Sequence, residues 1–211
     1  MSHTWDMDLS RPLENLLGES LARVLRRLAV VSGGLSGRRV AELAKVPVAT
    51  ASRVLSDLVE VGLVDGTDVG RSRLYRLNRD HVLWAPLEQM LAVPARIEQT
   101  AAESVREVVG HRATVALYGS FARGEAGRHS DVDIVIVWDD SVTDAERVVA
   151  LDAINGQVAA ATGNRVEVVE LTDVDLRRMV KADDPLVDSW RRDARTVTGL
   201  DLKRRLEAAA S

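Results

Sequence analysis

The stretch that most limits how this chain can fold is "YGSFARGEAGRHSDVDIVIVW", residues 118–138. It ends in a run of apolar β-formers, and two aspartates separated by one residue stand where that run begins. Because side chains alternate along a strand, Asp131 and Asp133 share one face, while Val132 and Ile134 point the other way into a core. One end of a buried strand must therefore carry two neighbouring negative charges.

Two carboxylates on one strand face repel each other, and a cation between them removes the repulsion. Oxygen ligands of this kind suit a hard divalent ion, Mg²⁺ or Mn²⁺. Such an ion takes a further carboxylate, and "GNRVEVVELTDVD" predicts a strand over Arg165–Leu171 with Glu167 on one face and Glu170 on the other. We therefore expect Asp131, Asp133 and Glu167 to form a metal site.

The segment "ATVALYGS" lies just upstream of the two aspartates. It predicts a strand over Ala113–Tyr118 that ends in a tight turn at Gly119 and Ser120. A short helix and the loop "RGEAGRHS" should follow before the strand over Val132–Trp138. We expect His129 in that loop to be a solvated residue rather than a ligand.

This arrangement resembles a known superfamily. Gly119-Ser120, ten intervening residues and Asp131-x-Asp133 form the signature of the DNA polymerase β-like nucleotidyltransferases. The fuller string "GSFARGEAGRHSDVDIVIV" resembles the minimal nucleotidyltransferases, small enzymes often found as antitoxins beside HEPN toxins. The resemblance runs from about residue 112 to residue 200. It implies a mixed sheet, a divalent metal cofactor, and ATP or another NTP as substrate.

The resemblance also implies roles for the residues around the Gly-Ser pair. Gly119 would let the backbone approach the nucleotide phosphates closely, and Ser120 would donate its hydroxyl and N–H to them. Arg123 would neutralise phosphate charge.

The acidic residues take their roles from the same resemblance. Asp131 and Asp133 would hold two Mg²⁺ ions, and Glu167 would complete the site and help to remove the proton of the acceptor hydroxyl. The hydroxyl would attack the α-phosphorus in line and release pyrophosphate. The family more often has Asp at the third position, so Glu167 is a departure from its pattern.

The first third of the chain has helical periodicity. Apolar residues recur at three or four positions over Leu13–Val31 and predict one amphipathic helix. Ser36 is suited to N-cap a second helix over Gly37–Lys45, and Pro47 to open a third helix that runs to about Val61.

A basic hairpin follows these helices. The segment "LVDGTDVGRSRLYRLN" predicts two strands around a glycine-containing turn, with Arg71, Arg73 and Arg76 on the return arm. The whole order closely resembles a winged helix-turn-helix over about residues 13–80.

That resemblance implies binding to double-stranded DNA, with the third helix in a major groove. The residues expected at the DNA are Ala49, Thr50, Ser52, Arg53, Arg71 and Arg73. Residues 11–80 carry a net charge of +4, whereas residues 81–211 carry −6. A basic segment before an acidic one indicates different partners for the two parts. The alternative is a module for dimerisation or for docking a partner protein.

Composition excludes some classes of protein. The chain has no cysteine and therefore neither disulfides nor thiolate metal sites, and no apolar run is long enough for a transmembrane helix. The acidic start "MSHTWDMDLS" lacks the pattern of a signal peptide. We expect a cytoplasmic protein that makes no membrane contact.

The predicted fold class is α+β, in three parts. Residues 11–80 form the winged helix-turn-helix, residues 81–110 a linking or dimerisation helix, single or broken near Pro94, and residues 111–211 the nucleotidyltransferase domain.

The predicted function is Mg²⁺-dependent transfer of an NMP, by family analogy AMP from ATP, to a hydroxyl acceptor such as a HEPN-type toxin or another protein. The winged helix would tether a homodimer to DNA and autoregulate transcription. One alternative is a transcriptional regulator whose transferase-like domain only senses a nucleotide or partner. Antibiotic modification is a third reading, against which the winged helix argues.

Overall fold

The structure is a computed structural model that describes residue 8 and residues 11–127 and 130–210. His129 and most of the acidic start lie outside the described residues. The chain divides into two compact units, an N-terminal unit of Arg11–Val93 and a C-terminal unit that begins at Pro94. Within the part of the chain that is described, no helix combines the length and apolarity that crossing a membrane requires.

The N-terminal unit consists of helices around a small sheet. Its elements are α1 (Pro12–Leu17), α2 (Glu19–Ala29), β1 (Leu35–Ser36), α3 (Gly37–Ala44), α4 (Val48–Glu60), β2 (Val64–Val69), β3 (Ser72–Leu77) and α5 (Trp84–Leu91). The strands are antiparallel in the order β1-β3-β2. Buried aliphatic residues of α2, α3 and α4, among them Leu28, Val40 and Leu55, form one core with the hairpin.

The helix predicted over Leu13–Val31 is in fact two helices, so that prediction was wrong. The chain breaks at Gly18, which has φ +81° and ψ 152°, outside the helical region. Glycine adopts this conformation without the steric cost that a side chain would bring. Leu13 and Leu28, on either side of the break, still bury their side chains in the same core.

The predicted ends of α3 and α4 are confirmed. The Ser36 hydroxyl accepts a hydrogen bond from the Arg39 N–H at 3.3 Å and caps α3. Pro47 stands immediately before α4, and Gly62, with φ +77°, follows its end. Arg71 differs slightly from expectation, because it lies in the turn between β2 and β3 rather than on the return strand.

The C-terminal unit contains a mixed sheet covered by helices. Its elements are α6 (Val93–Val109), β4 (Ala113–Leu117), α7 (Gly119–Ala122), β5 (Val132–Trp138), α8 (Asp144–Thr162), β6 (Val166–Thr172), α9 (Asp173–Lys181), α10 (Pro185–Asp193), β7 (Arg195–Thr198) and α11 (Leu202–Ala210). The strand order is β6-β5-β4-β7. β5 and β6 are parallel, while β4 is antiparallel to both β5 and β7, which confirms the predicted mixed sheet. The segment predicted as a link is two helices, with α5 in the N-terminal unit and α6 almost wholly in the C-terminal unit.

β5 is buried along its whole length beyond Asp133. On the face that continues from Asp133, Val135 and Val137 pack into a cluster with Trp190 and with residues of α9 and α11. Ile134 and Ile136 on the opposite face are also fully buried, as the alternation predicts. Asp131, just before the strand, and Asp133 within it are half-buried and keep access to solvent.

Candidate active site

A row of polar side chains crosses the sheet where β4 ends and where β5 and β6 begin. Asp133 on β5 pairs with Glu167 on the parallel strand β6. On the other side, the Tyr118 N–H donates to the Asp133 carbonyl at 3.1 Å, directly after the Leu117–Ile134 pair. Directly opposed residues share a face of the sheet, so Tyr118, Asp133 and Glu167 stand side by side. We call these three residues the cross-strand row.

Asp133 sits among like charges. Its carboxyl is half-buried, and burial is the main cause that raises its pKa above the ordinary value. The charges of Glu167 and Asp131 raise that pKa further, while the charge of Arg123 lowers it. The structure therefore brings Asp131 and Glu167 within electrostatic reach of Asp133. A cation at this point would relieve the repulsion.

The donor chemistry of these acids suits a hard divalent ion, because all of them offer carboxylate oxygens. Their arrangement is looser than a finished metal cage. Glu167 is exposed and lies 3.9 Å from the Arg165 guanidinium. Across residues 11–127 and 130–210, no three acidic or histidine side chains converge closely enough to hold an ion as they stand. The residues thus fit a divalent ion in chemistry and charge, and the side chains must move to ligate it.

Gly119 is required on two counts at the start of α7. Its φ is +68°, a conformation that side chains disfavour. A Cβ built on it would lie 2.2 Å from Asp133 Oδ2 and 3.1 Å from Asp133 Cγ. Only glycine therefore lets the backbone of this turn lie against the Asp133 carboxylate. Ser120 follows, half-buried, and its hydroxyl makes no hydrogen bond to another described residue, which leaves it able to donate to a ligand.

Arg123 is held by two carboxylates in this structure. Its Nε donates to Glu125 Oε2 at 2.7 Å, and its Nη1 donates to Asp193 Oδ2 at 2.5 Å. The charge of Arg123 lowers the pKa of Asp133. A phosphate would have to share the guanidinium with these two partners.

Two residues of the site were missed by sequence reasoning. The Asp193 side chain is only 3% exposed and also accepts from Arg192 Nε at 3.0 Å. Burial acts to raise its pKa, but the hydrogen bonds from Arg123 and Arg192 outweigh burial and hold the pKa below the ordinary value. No local sequence signal marks Asp193, because its partner Arg123 lies on a distant segment.

Tyr118 is the second missed residue. It is buried, and its ring meets the Trp190 ring edge to face, with centroids 6.0 Å apart. Burial, followed by the charges of Asp133 and Glu167, raises the pKa of Tyr118 to about 12. The hydroxyl therefore stays protonated at neutral pH. Its place directly before the Gly-Ser pair, in phase with the strand, was the available signal.

The residues predicted to meet DNA lie on α4 and on the hairpin. Ala49, Ser52 and Arg53 are exposed near the start of α4, and Thr50 is half-buried. Arg71 is exposed in the hairpin turn.

The predicted arginines differ in their neighbours. Neither Arg53 nor Arg71 has a side-chain partner among the residues that the structure describes. Arg73 has neighbours: its Nε lies 3.9 Å from Asp68 Oδ1, and its guanidinium lies 5.9 Å from the centroid of the Tyr75 ring.

Comparison with known proteins points to the C-terminal unit. Residues 98–192 match the family model described as "Nucleotidyltransferase domain", from within α6 to within α10. The structure "Crystal structure of the toxin-antitoxin with AMP-PNP" is 20% identical, with a TM-score of 0.38, and the match covers 54% of this chain and 80% of the other. A structure of a mutant of the toxin-antitoxin MntA-HpeT is 18% identical over the same shares, with a TM-score of 0.37. No curated protein matches the chain significantly.

Proposed function

We propose, from the match of residues 98–192 to the nucleotidyltransferase domain family, that the C-terminal unit transfers a nucleoside monophosphate to a hydroxyl acceptor. The observation that carries the proposal is the contact between Gly119 and Asp133. A glycine in a left-handed conformation holds a backbone turn against a carboxylate, and two further carboxylates lie within electrostatic reach. A close-packed backbone beside several acids is suited to a nucleotide's phosphates together with their metal ions.

Each residue would contribute one simple function. Asp131, Asp133 and Glu167 would hold one or two Mg²⁺ or Mn²⁺ ions, which supply positive charge at the triphosphate. Ser120 would donate hydrogen bonds to phosphate oxygens, and Glu167 would help to take the proton of the attacking hydroxyl. The new bond joins the acceptor oxygen to the α-phosphorus, and pyrophosphate leaves.

The substrate and the acceptor rest on the resemblance of the Gly-Ser and Asp-x-Asp motif. It favours ATP as the nucleotide, AMP as the transferred group, and a partner toxin of the HEPN type or another protein as the acceptor. A cytoplasmic location is proposed from composition instead, because the chain has no cysteine.

The test is label transfer. The wild-type protein is incubated with Mg²⁺ and each α-labelled NTP, with and without the product of the neighbouring gene as acceptor. Asp131→Asn and Asp133→Asn should abolish transfer. Asp152→Asn, the same change at an exposed position of α8, should leave it intact. Transfer that survives in both site variants would contradict the proposal.

A sensor function is the second candidate, and one observation favours it. The described acids do not converge around one point, and Arg123 is engaged by Glu125 and Asp193. A sensor would bind NTP with Mg²⁺ and release no pyrophosphate. Equilibrium binding without turnover, under conditions where all acceptors are supplied, would favour the sensor over the transferase.

We further propose that the N-terminal unit is a winged helix-turn-helix that binds double-stranded DNA as a homodimer. The order α2, α3, α4 and hairpin supports this, with β1 joined to the hairpin in one sheet. In this proposal α4 enters the major groove, and the turn that carries Arg71 contacts the backbone or minor groove. Autoregulation of transcription would follow if the DNA bound is the protein's own promoter.

A further inference from the structure

The last turn of α10 carries two buried side chains that reach the two flanks of the Gly-Ser turn. Trp190 and Asp193 are three residues apart and so lie on one face of the helix. Trp190 is fully buried and packs against Tyr118, which precedes Gly119. Asp193 binds Arg123, the residue directly after α7. α10 thus contacts the site from both sides of the turn.

The Asp193 carboxylate has a fixed position. Its Oδ2 accepts from Arg123 Nη1 at 2.5 Å and its Oδ1 from Arg192 Nε at 3.0 Å, with Arg192 Nη2 a further 3.4 Å from Oδ2. A buried carboxylate without such partners would be strongly destabilising. The other carboxylate on Arg123, Glu125, is 63% exposed and only two residues away, so it adds little rigidity. Asp193 is therefore the anchor of the Arg123 guanidinium.

The anchored guanidinium keeps one edge unused. Nε donates to Glu125 and Nη1 to Asp193, while Nη2 makes no hydrogen bond to any described residue. The Arg123 N–H donates to the Gly119 carbonyl at 3.2 Å, and Gly119 lies against the Asp133 carboxylate. A guanidinium that is fixed at two nitrogens beside the cross-strand row can offer its third nitrogen to an anion without losing further side-chain freedom.

We propose that Asp193 is a positioning residue, which holds Arg123 beside the cross-strand row so that Nη2 can bind a phosphate oxygen of the nucleotide. The inference rests on the proposed function of the site. It assigns to α10, and to a residue just beyond the segment that matches the family, control over nucleotide affinity. The opposite possibility is that Asp193 competes with phosphate for Arg123, and the test separates the two.

The experiment measures the Kd of ATP with Mg²⁺ by calorimetry, and the KM and kcat of transfer. Asp193→Asn keeps the shape of the side chain and removes its charge. We expect the Kd of ATP and the KM to rise about tenfold, which corresponds to the loss of one charge-assisted contact. The kcat should change less than the KM. The matched control is Asp188→Asn on the same helix. Asp188 is 74% exposed, and Arg191 at 3.2 Å is its only partner among the described residues, so the Kd of this variant should match that of the wild type.

A double-mutant cycle shows whether Asp193 acts through Arg123. Arg123→Gln should raise Kd by a similar factor, and adding Asp193→Asn to it should cause no further rise. Arg123→Lys keeps the charge and cannot make all three contacts, so it should bind ATP nearly as weakly as Arg123→Gln. In this variant Asp193 keeps its hydrogen bonds from Arg192, so the buried carboxylate is not left unpaired and the protein should fold even if Asp193→Asn does not.

The outcomes are distinct. A wild-type protein that binds no nucleotide would overturn the proposed function and this inference with it. A wild-type protein that binds ATP, with Asp193→Asn unchanged or tighter, would overturn the positioning role alone, and tighter binding would show competition. Independent, additive effects of the two substitutions, or wild-type affinity in Arg123→Lys, would also overturn it.

Discussion

In the C-terminal unit, Asp133 is half-buried with Asp131 and Glu167 near it, whereas in the N-terminal unit Arg53 and Arg71 are exposed. The first arrangement places like charges together at a partly desolvated point, which raises the pKa of Asp133 and lowers the stability of the fold. The arrangement in the N-terminal unit places its charges in water, where each has little effect on the stability of the fold.

The contrast predicts that substitutions in the two units will affect the two proposed functions differently. Carboxylates that repel one another can together bind a cation that neutralises them. If they act as one metal site, the loss of one carboxylate should abolish the proposed nucleotidyl transfer. Exposed bases act on a polyanion through a screened field, and their contributions should be separate and graded.

The largest expected effect is that of Asp133→Asn. Label transfer should fall by at least about a hundredfold, because in the proposed function the substitution removes a ligand of the ions that neutralise the triphosphate. The melting temperature in metal-free buffer should not fall, because the lost charge is one that its neighbours repel. A large fall in melting temperature with transfer retained would show that Asp133 stabilises the fold and is not needed for transfer.

The next effect separates backbone strain from contact with Asp133. Gly119→Ala and Gly124→Ala both place a side chain at positive φ, +68° and +69°, and each should cost about 1–2 kcal/mol of the free energy of unfolding. Only the Gly119 variant drives a Cβ into Asp133, whereas nothing lies within 4 Å of the position at Gly124. Transfer should therefore be lost in Gly119→Ala and retained in Gly124→Ala. Equal activities would show that the close contact is unimportant.

In the N-terminal unit the effects should be graded. Arg53→Ala should weaken binding to upstream DNA by about 1–3 kcal/mol, and Arg71→Ala should weaken it less and reduce the salt slope by about 1. Fluorescence anisotropy over a salt series would measure both. Lys203→Ala, an exposed base of the C-terminal unit, is the control and should change neither. DNA binding that is absent even at low salt would refute the proposal for this unit.

A paired acid in the C-terminal unit sharpens the contrast with Asp133. Glu146 accepts from the Arg112 guanidinium at 2.6 Å and from Thr143 at the start of α8, and Arg112 first, then Thr143, lower its pKa to about 2. A lowered pKa contributes stability that is present above the ordinary carboxyl pKa and is lost as the pH falls towards 2. Between pH 5 and pH 2.5 the melting temperature should fall less in Glu146→Gln than in the wild type. Parallel curves would show that the pair adds nothing.

The smallest expected effect comes from the hairpin. Asp68→Asn removes an exposed carboxylate 3.9 Å from Arg73, and DNA affinity should rise by less than about threefold, because exposed ion pairs are weak. A much larger rise would mean that Arg73 is held away from DNA by its partner, and that the exposed charges are less independent than proposed.

Local chemistry explains what could be predicted. The limits of β5, the cap at Ser36 and the stop at Gly62 depend on a few neighbouring residues, and the structure confirms each of them. Strand alternation predicted one face for Asp131 and Asp133, and the parallel pairing of β5 with β6, which the structure shows, places Glu167 opposite Asp133.

What could not be predicted depends on distant packing. The helix break at Gly18 could not be predicted, because the apolar residues keep their helical spacing on both sides of it. They do so because α1 and α2 face the same core. The contact of Arg123 with Asp193 joins residues 70 positions apart, and only the packing of α10 over the sheet creates it. The division of the segment 81–110 likewise depends on where α5 and α6 find buried partners.

The pairing of β7 with β4 affects how the C-terminal unit folds during synthesis. During synthesis β4 emerges early, yet its second neighbour β7 follows only after β5, α8, β6, α9 and α10. Until then one edge of a fully buried, apolar strand has no partner, and such an edge can pair with other chains. Folding on the ribosome should therefore leave the sheet open until the segment after Asp193 is released, and a chaperone that shields β4 would act in that interval.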